Sequence, residues 1–387
     1  MHSRLARGHA LRPLLVGCSI LAVLSCETGG GRSTSEAEII LAKAARYLWE
    51  HQGEDGAWHS EIHGVMKTGQ TLTPYILLAL TEVPGSLVAR PQEKIDRALA
   101  FIRNSINKDG VLGLADPDII EYPNYSTAYA LRCLVRLGTP ADSSFIRRMT
   151  EYLVREHLTE ARGINPDHPA YGSWGFGETN LVKGQVGHVD LSHTRHVLEA
   201  LRETGVDDPS ILQKTTRFLQ LVQKHPSHRL SVDGTYDGGF YFSPIVLDQN
   251  KAGKDDDAFR SYATATCGGV MALLATGHSL EDEPVQAAVK WLEDNSELGY
   301  PAGILEDDPD QWRKVLFFYH LSVRAEVYHA IGKEGGWKEE MVRLISERQR
   351  DDGSFVNPYG SPNKEDDPLL ATTLVIRTLT NLLQSGR

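Results

Sequence analysis

Four short stretches of this chain hold residues that can move protons or bind a ligand. Asp255-Asp256-Asp257 follows Lys254, and Asp366-Asp367 follows Lys364-Glu365. Each run stands just ahead of a long apolar stretch. Carboxyls in that position are ordinary helix caps, or acids whose strength is set by what surrounds them. Asp190-Leu191-Ser192-His193 places an acid at a helix start and an imidazole one turn inside. Asp190 reads as an N-cap, and His193 as a residue that faces inward. Phe317-Phe318-Tyr319-His320 sets three rings beside a second imidazole. With Tyr125, Tyr129 and Tyr262 these rings are candidate walls of an apolar pocket, and aromatic faces stabilise carbocations and quaternary amines. The candidate catalytic residues are therefore Asp256, Asp257, Asp366, Asp367, Asp190 and His320. The candidate binding residues are Tyr125, Tyr129, His193, Arg260, Tyr262, Phe318 and Tyr319.

The elements that must position them follow from a repeat. An amphipathic helix leads into a Gly-rich turn with an aromatic, and then into a helix apolar nearly all round. In QEKIDRALAFIRNSI, Ile95, Leu99, Ile102 and Ile106 share one face and charges occupy the other, the pattern of a helix with one wet side. In NYSTAYALRCLVRLG the apolar residues surround the axis, so that helix is buried. Half-wet helices are expected near 35–52, 92–106, 142–157, 208–224, 284–296 and 336–349. Buried ones are expected near 71–83, 123–138, 190–205, 259–277, 312–332 and 366–384. Six hairpins with a wet and a dry layer make an all-α protein, either an open solenoid or a closed ring. In the turns, Asp-Gly supplies the positive φ needed to reverse direction, and the aromatic is a wedge between hairpins.

Hydrophobic residues make up 41% of the 387-residue chain and charged ones 24%, the balance of a globular protein with a substantial core. A formal net charge of −11 argues against nucleic acid or an anionic surface as an electrostatic partner. The N-terminus differs from the rest. Arg4, Arg7 and Arg12 precede an apolar run from Leu14 to Leu24, as in a secretion signal. Val23-Leu24-Ser25-Cys26 resembles a bacterial lipobox, which implies cleavage before Cys26, lipidation of that residue and attachment to an envelope membrane. A plain signal peptide is the alternative. The expected organisation is a signal over 1–25, a linker over 26–35 and one helical domain over 36–387. Loss of residues 1–25 takes the formal charge from −11 to −14. Cys133 and Cys267 lie in apolar helical stretches without a Cys-x-x-Cys pattern, and read as buried free thiols.

Gln349-Arg350-Asp351-Asp352-Gly353-Ser354-Phe355 and Gln52-Gly53-Glu54-Asp55-Gly56-Ala57-Trp58 resemble the QW-type repeat of squalene cyclases and protein prenyltransferase β subunits. The stretches 190–205 and 260–277 are similar to inner helices of bacterial prenyltransferase and squalene oxidase repeat proteins. The resemblance spans nearly the whole mature chain and implies an α6/α6 toroid, in which first and last hairpins are equivalent staves. It also tests the chemistry. The zinc-binding Asp-x-Cys-Tyr of protein prenyltransferases would fall on Phe259-Arg260-Ser261-Tyr262, and the zinc histidine near Leu369 or Leu370. Only the tyrosine is kept, so no zinc site or other cofactor is implied. The Asp-x-Asp-Asp acid of class II terpene cyclases, which protonates an alkene, has near matches at 254–257 and 364–367, each with Lys in place of the first Asp.

These readings converge on an envelope-tethered protein that binds an apolar isoprenoid-type lipid, with terpene-cyclase-like acid catalysis as its possible chemistry. A non-catalytic lipid-binding or scaffold lipoprotein is the alternative. A carbohydrate-active toroid is a third reading, with Asp190 and Asp366 or Asp367 as its carboxylate pair. Replacing Cys26 by Ser is expected to move the protein from the membrane to the soluble fraction, read by fractionation and immunoblot.

Overall fold

In the computed structural model, residues 35–228, 236–255 and 258–384 are described. Thirteen α-helices occur among them. They are α1 Glu36–Glu50, α2 Leu72–Glu82, α3 Gln92–Ser105, α4 Pro123–Leu137, α5 Ser143–Arg155, α6 Leu191–Glu203 and α7 Pro209–Val222. Then follow α8 Ala263–Ala275, α9 Glu283–Asp294, the short α10 Trp312–Val315, α11 Phe317–Ala330, α12 Trp337–Ser346 and α13 Pro368–Leu383. Helices α2, α4, α6, α8, α11 and α13 each pack on the next, and α13 packs back on α2. That closes an inner ring. The half-wet helices α1, α3, α5, α7, α9 and α12 lie outside it. The periodicity allows a solenoid or a ring, and the α/α toroid that the QW-type resemblance implies is the fold observed.

Closure rests on contacts that recur from hairpin to hairpin. Gly56 and Gly353 each adopt φ +90°, and a Cβ on them would stand 2.5 Å from the Arg97 carbonyl and 2.7 Å from the Lys43 carbonyl. Gly110, Gly172 and Gly238 press in the same way on Arg148, Lys214 and Ala287. In every case the partner lies on the outer helix of the following hairpin, and for Gly353 that helix is α1. The Gln349 amide donates to the carbonyls of Gly353 (3.1 Å) and Ile40 (3.1 Å), joining last hairpin to first. Gln52 does the same toward Gly56 and Lys94, and Gln223 toward Gly238 and Pro284. The turn aromatic serves its own hairpin. The Trp58 and Trp174 indoles donate to the carbonyls of Leu48 and Leu153 in the last turns of α1 and α5, where helical carbonyls lack intrahelical partners. A threonine in the first turns of the inner helix receives the turn's backbone N–H at 3.0–3.1 Å: Thr73, Thr127, Thr194, Thr266 and Thr372.

Two boundaries differ from expectation. The stretch expected as one helix over 312–332 breaks at Leu316, because the buried Glu365 carboxylate accepts from the N–H groups of Phe318 and Tyr319 and caps a new start there. The helix expected from 259 begins at Ala263, since Ala258–Phe259 pairs antiparallel with Lys254–Asp255. Asp256 and Asp257 lie outside the described residues, as does Cys26.

Ala at position 353 must take a left-handed φ and also meet the Lys43 carbonyl, whereas Ala at Gly277 (φ +98°) meets nothing within 4 Å. The left-handed conformation costs about 1–3 kcal/mol in each. Gly353→Ala is therefore expected to lower the urea-unfolding free energy by clearly more than Gly277→Ala; equal losses would remove the closure contact from the account.

Candidate functional site

All six inner helices start at the same end of the ring, and a cavity of about 490 Å³ opens there. Its walls carry Tyr75, Tyr125, Tyr129, Tyr262, Tyr319, Leu370 and Leu374. Phe176, Tyr122 and Phe242 stand on the connecting segments that frame the mouth, with Trp312 of the short α10, His188, Lys251 and Lys364. Ring packs on ring down the wall: Tyr75 meets Tyr129 edge-on at 5.0 Å, and Tyr125 meets His193 edge-on at 5.0 Å. Burial pushes the Tyr319 hydroxyl up to about 12 and the Tyr125 hydroxyl well above its usual value. Both phenols are thus neutral donors at physiological pH.

At the start of α6, Asp190 caps the helix through the His193 N–H (2.8 Å). Its second oxygen accepts from His193 Nδ1 (2.8 Å) and His188 Nε2 (3.2 Å). Burial pushes the Asp190 carboxyl up, but the two histidines outweigh it and hold the group well below the carboxylate range. The same hydrogen bond raises His188 above its usual 6.5. His193 lines the cavity, is only 6% exposed, and its Nε2 has no hydrogen-bond partner. A buried ring nitrogen without a partner costs free energy unless a ligand or water meets it. An imidazole oriented by a carboxylate is the arrangement of a general base or acid. Beside it, the Ser192 hydroxyl lies 3.0 Å from the Tyr125 hydroxyl.

The floor is polar. Glu326 of α11 pairs with Arg195 of α6 at 2.6 Å and lies 3.8 Å from Arg377 of α13. Arg195 also pairs with Glu199 (2.6 Å). His196, which burial pulls down to about 4, contacts the Tyr129 hydroxyl at 3.2 Å and Glu199 at 3.3 Å. Charges this deep persist only when each has a partner.

Of the candidate residues, Tyr125, Tyr129, Asp190, His193, Tyr262 and Tyr319 come together on the cavity. The others do not. Asp367 caps α13 through Leu369 and Leu370 and accepts from Ser60, so its oxygens are engaged away from the cavity. Asp366 pairs with His63 at 2.7 Å. Phe318 packs edge-on against Phe317 and Phe355. His320 bonds the Glu297 carbonyl, and burial pulls it down to about 3. Arg260 pairs with Asp255. Of the carboxylates considered for glycosidase chemistry, Asp190 lines the cavity and Asp366 and Asp367 do not. Sequence reasoning missed Tyr75, Tyr122, His188, Lys251, Trp312, Glu326 and Arg377. For Glu326 and Arg377 a signal existed, since a charge within an otherwise dry helix must face something polar. Among the described residues no cluster of three or more His, Cys, Asp or Glu is arranged to hold a metal ion.

No protein-family model matches the chain, and no curated protein matches it. Solved structures with a similar fold include a variant of the type II terpene cyclase MstE from Scytonema in complex with geranylgeranyl dihydroxybenzoate. It has a TM-score of 0.56 at 13% identity, over 90% of this chain and 97% of that one. A possible GH105 family member from Salmonella enterica serovar Paratyphi A gives 0.53 at 12%, over 95% and 98%. A D-mannose isomerase gives 0.55 at 12%, over 91% and 98%. The shared property is the α/α toroid, a fold that carries unrelated chemistries.

Asp190→Asn removes the negative charge from both histidines while keeping a side-chain oxygen that can cap α6, since Asn and Asp are about equal as N-caps. The raised His188 contributes stability that is full below 6.5 and lost as pH rises through its folded value. The lowered Asp190 contributes stability that is full above 3.8 and lost as pH falls through its folded value. The stability gap between wild type and Asp190→Asn is therefore expected to be widest between 3.8 and 6.5, and to narrow as pH rises above 6.5 through the folded value of His188, in denaturant titrations across pH.

Proposed function

We propose that the protein binds an isoprenoid-type lipid in its central cavity and is held at an envelope membrane through a lipid on Cys26. The observation that carries the ligand class is the cavity itself. Its volume of about 490 Å³ lies within the usual range of small-molecule sites, roughly 300–1,000 Å³, and aromatic rings packed edge-on and tilted line its middle. The similarity to MstE, whose structure holds a geranylgeranyl compound, supports the same reading. The membrane attachment rests on the arginines, apolar run and Cys26 of the N-terminus.

The described carboxylates favour a chemistry other than alkene protonation. An alkene is a very weak base, so its acid must be strong and must present a free oxygen. Asp190 has both oxygens engaged, and Asp366 and Asp367 are spent off the cavity. His193 Nε2 is the unpartnered group on the cavity. An imidazole suits a hydroxyl, carbonyl or ester of the ligand, with Asp190 as its positioning residue. A second reading, a sugar-type ligand, draws on the polar floor of Glu326, Arg377 and His196.

The test is mass spectrometry of solvent-extracted ligands from protein purified gently with Cys26→Ser. A stoichiometric polyprenyl or triterpenoid lipid is the expected result, and a bound sugar in its place would overturn the reading. With that lipid as substrate, His193→Ala is expected to abolish turnover while Asp366→Asn retains it. Loss in Asp366→Asn alone would return the acid role to the aspartate run.

A further inference from the structure

Lys251 and Lys364 both line the mouth of the cavity, and neither has a carboxylate within 4.0 Å among the described residues. That is unusual in a chain with a net charge of −11, where most buried or half-buried cations here are paired. Lys251 is fixed by neutral contacts. Its ammonium sits 3.8 Å over the Trp312 ring and 3.1 Å from the Gln249 side-chain oxygen. Lys364 stands 5.8 Å over the Tyr122 ring. Asp248, Asp308 and Asp310 attract Lys251 only from longer range, and Lys364 repels it. Burial brings the Lys251 ammonium down to about 8, so it remains mostly charged at neutral pH.

The backbone at the mouth is strained in the same place. Three non-glycine residues adopt positive φ among the described residues: Tyr122 (47°), Gln311 (56°) and Lys364 (65°). Two of them carry side chains of this mouth, and the third immediately precedes Trp312. Such conformations persist where the surrounding structure holds them, and they gather at ligand sites. Three acids at the inner-helix starts are committed elsewhere: Asp190 caps α6, Asp367 caps α13, and Glu365 caps α11.

We propose that Lys251 and Lys364 form an anion-binding subsite, so that the ligand is an anionic amphiphile with a carboxylate or phosphate head at the mouth and its apolar body between the cavity's aromatic walls. This rests on the lipid reading of the cavity and names the head group that reading left open. Two ammonium groups on an aromatic rim desolvate an anion only partly, and hold it by charge-assisted hydrogen bonds. The negative charge of the chain as a whole keeps anionic surfaces away, and the local pair selects single anionic molecules.

Three probes with one farnesyl body separate the possibilities: farnesol, farnesoic acid and farnesyl monophosphate. Each is titrated by calorimetry at low and at physiological salt into protein carrying Cys26→Ser, and into the same protein with Lys251→Gln and Lys364→Gln. At low salt the wild-type site is expected to prefer at least one anionic probe over farnesol by about tenfold or more, the equivalent of one modest charge contact. The probe preferred identifies carboxylate or phosphate as the head group. The double variant is expected to bring that ratio to about one, and the Lys251→Arg, Lys364→Arg variant to keep it. Farnesol bound as tightly as both anions would overturn the subsite and leave the lipid cavity standing. Binding of none of the three would overturn both, and so would a preference that survives in the Gln variant for the subsite alone.

Discussion

The contact on which the rest depends is the seating of a turn glycine against the next outer helix. At Gly56, Gly110, Gly172, Gly238 and Gly353 a side chain would collide with a backbone carbonyl of the following hairpin. The missing Cβ sets the distance between neighbouring hairpins, and the distance repeated around the chain sets the ring. Because Gly353 meets Lys43, the last hairpin treats the first as its successor. The fifth hairpin is the exception: nothing approaches Gly299 within 4 Å. The inner helix that follows it, α11, has its start fixed from the sixth hairpin by Glu365.

Closing the ring creates the cavity and decides its electrostatics. Six inner helices bring their N-terminal ends to one mouth, and exposed N–H groups there favour negative charge. Three acids answer from within the chain: Asp190, Glu365 and Asp367. An acid that caps a helix has given up oxygens that a substrate would need. So the residues that look most like a proton source in the sequence serve largely as fold, while the imidazole held by one of them keeps a free nitrogen. Lys251 and Lys364, with no carboxylate within 4.0 Å among the described residues, give the mouth its local positive charge. At the opposite end the charges of Arg195, Glu199, Glu326 and Arg377 neutralise one another.

Periodicity is a local property, and it was sufficient for the hairpins but not for the choice between a solenoid and a ring, which rested on the resemblance of the turns. The half-wet spacing of Ile95, Leu99 and Ile102 and the apolar surround of 123–138 identified outer and inner helices before any contact was known. The boundaries that moved did so for tertiary reasons, as where Glu365, 49 residues after Leu316 in sequence, restarts the helix at Phe317. The recurrent threonines were present in the sequence too, but their spacing from the turn varies with loop length, from 15 residues for Thr73 to 26 for Thr266, and so hid the repeat.

The sequence alone determined that six hairpins exist, which helix of each is dry, and that the acids stand at helix starts. It did not determine which way each dry helix is rotated. In a helix apolar all round, Phe318 and Tyr319 are equally good core residues, and about 100° of helix separates them. Only closure of the ring turns Tyr319 to the cavity and Phe318 onto Phe355. The same holds for the two lysines, brought to one mouth from loops more than 100 residues apart. Rotation and convergence are set by packing across the whole ring, which no local window of residues contains.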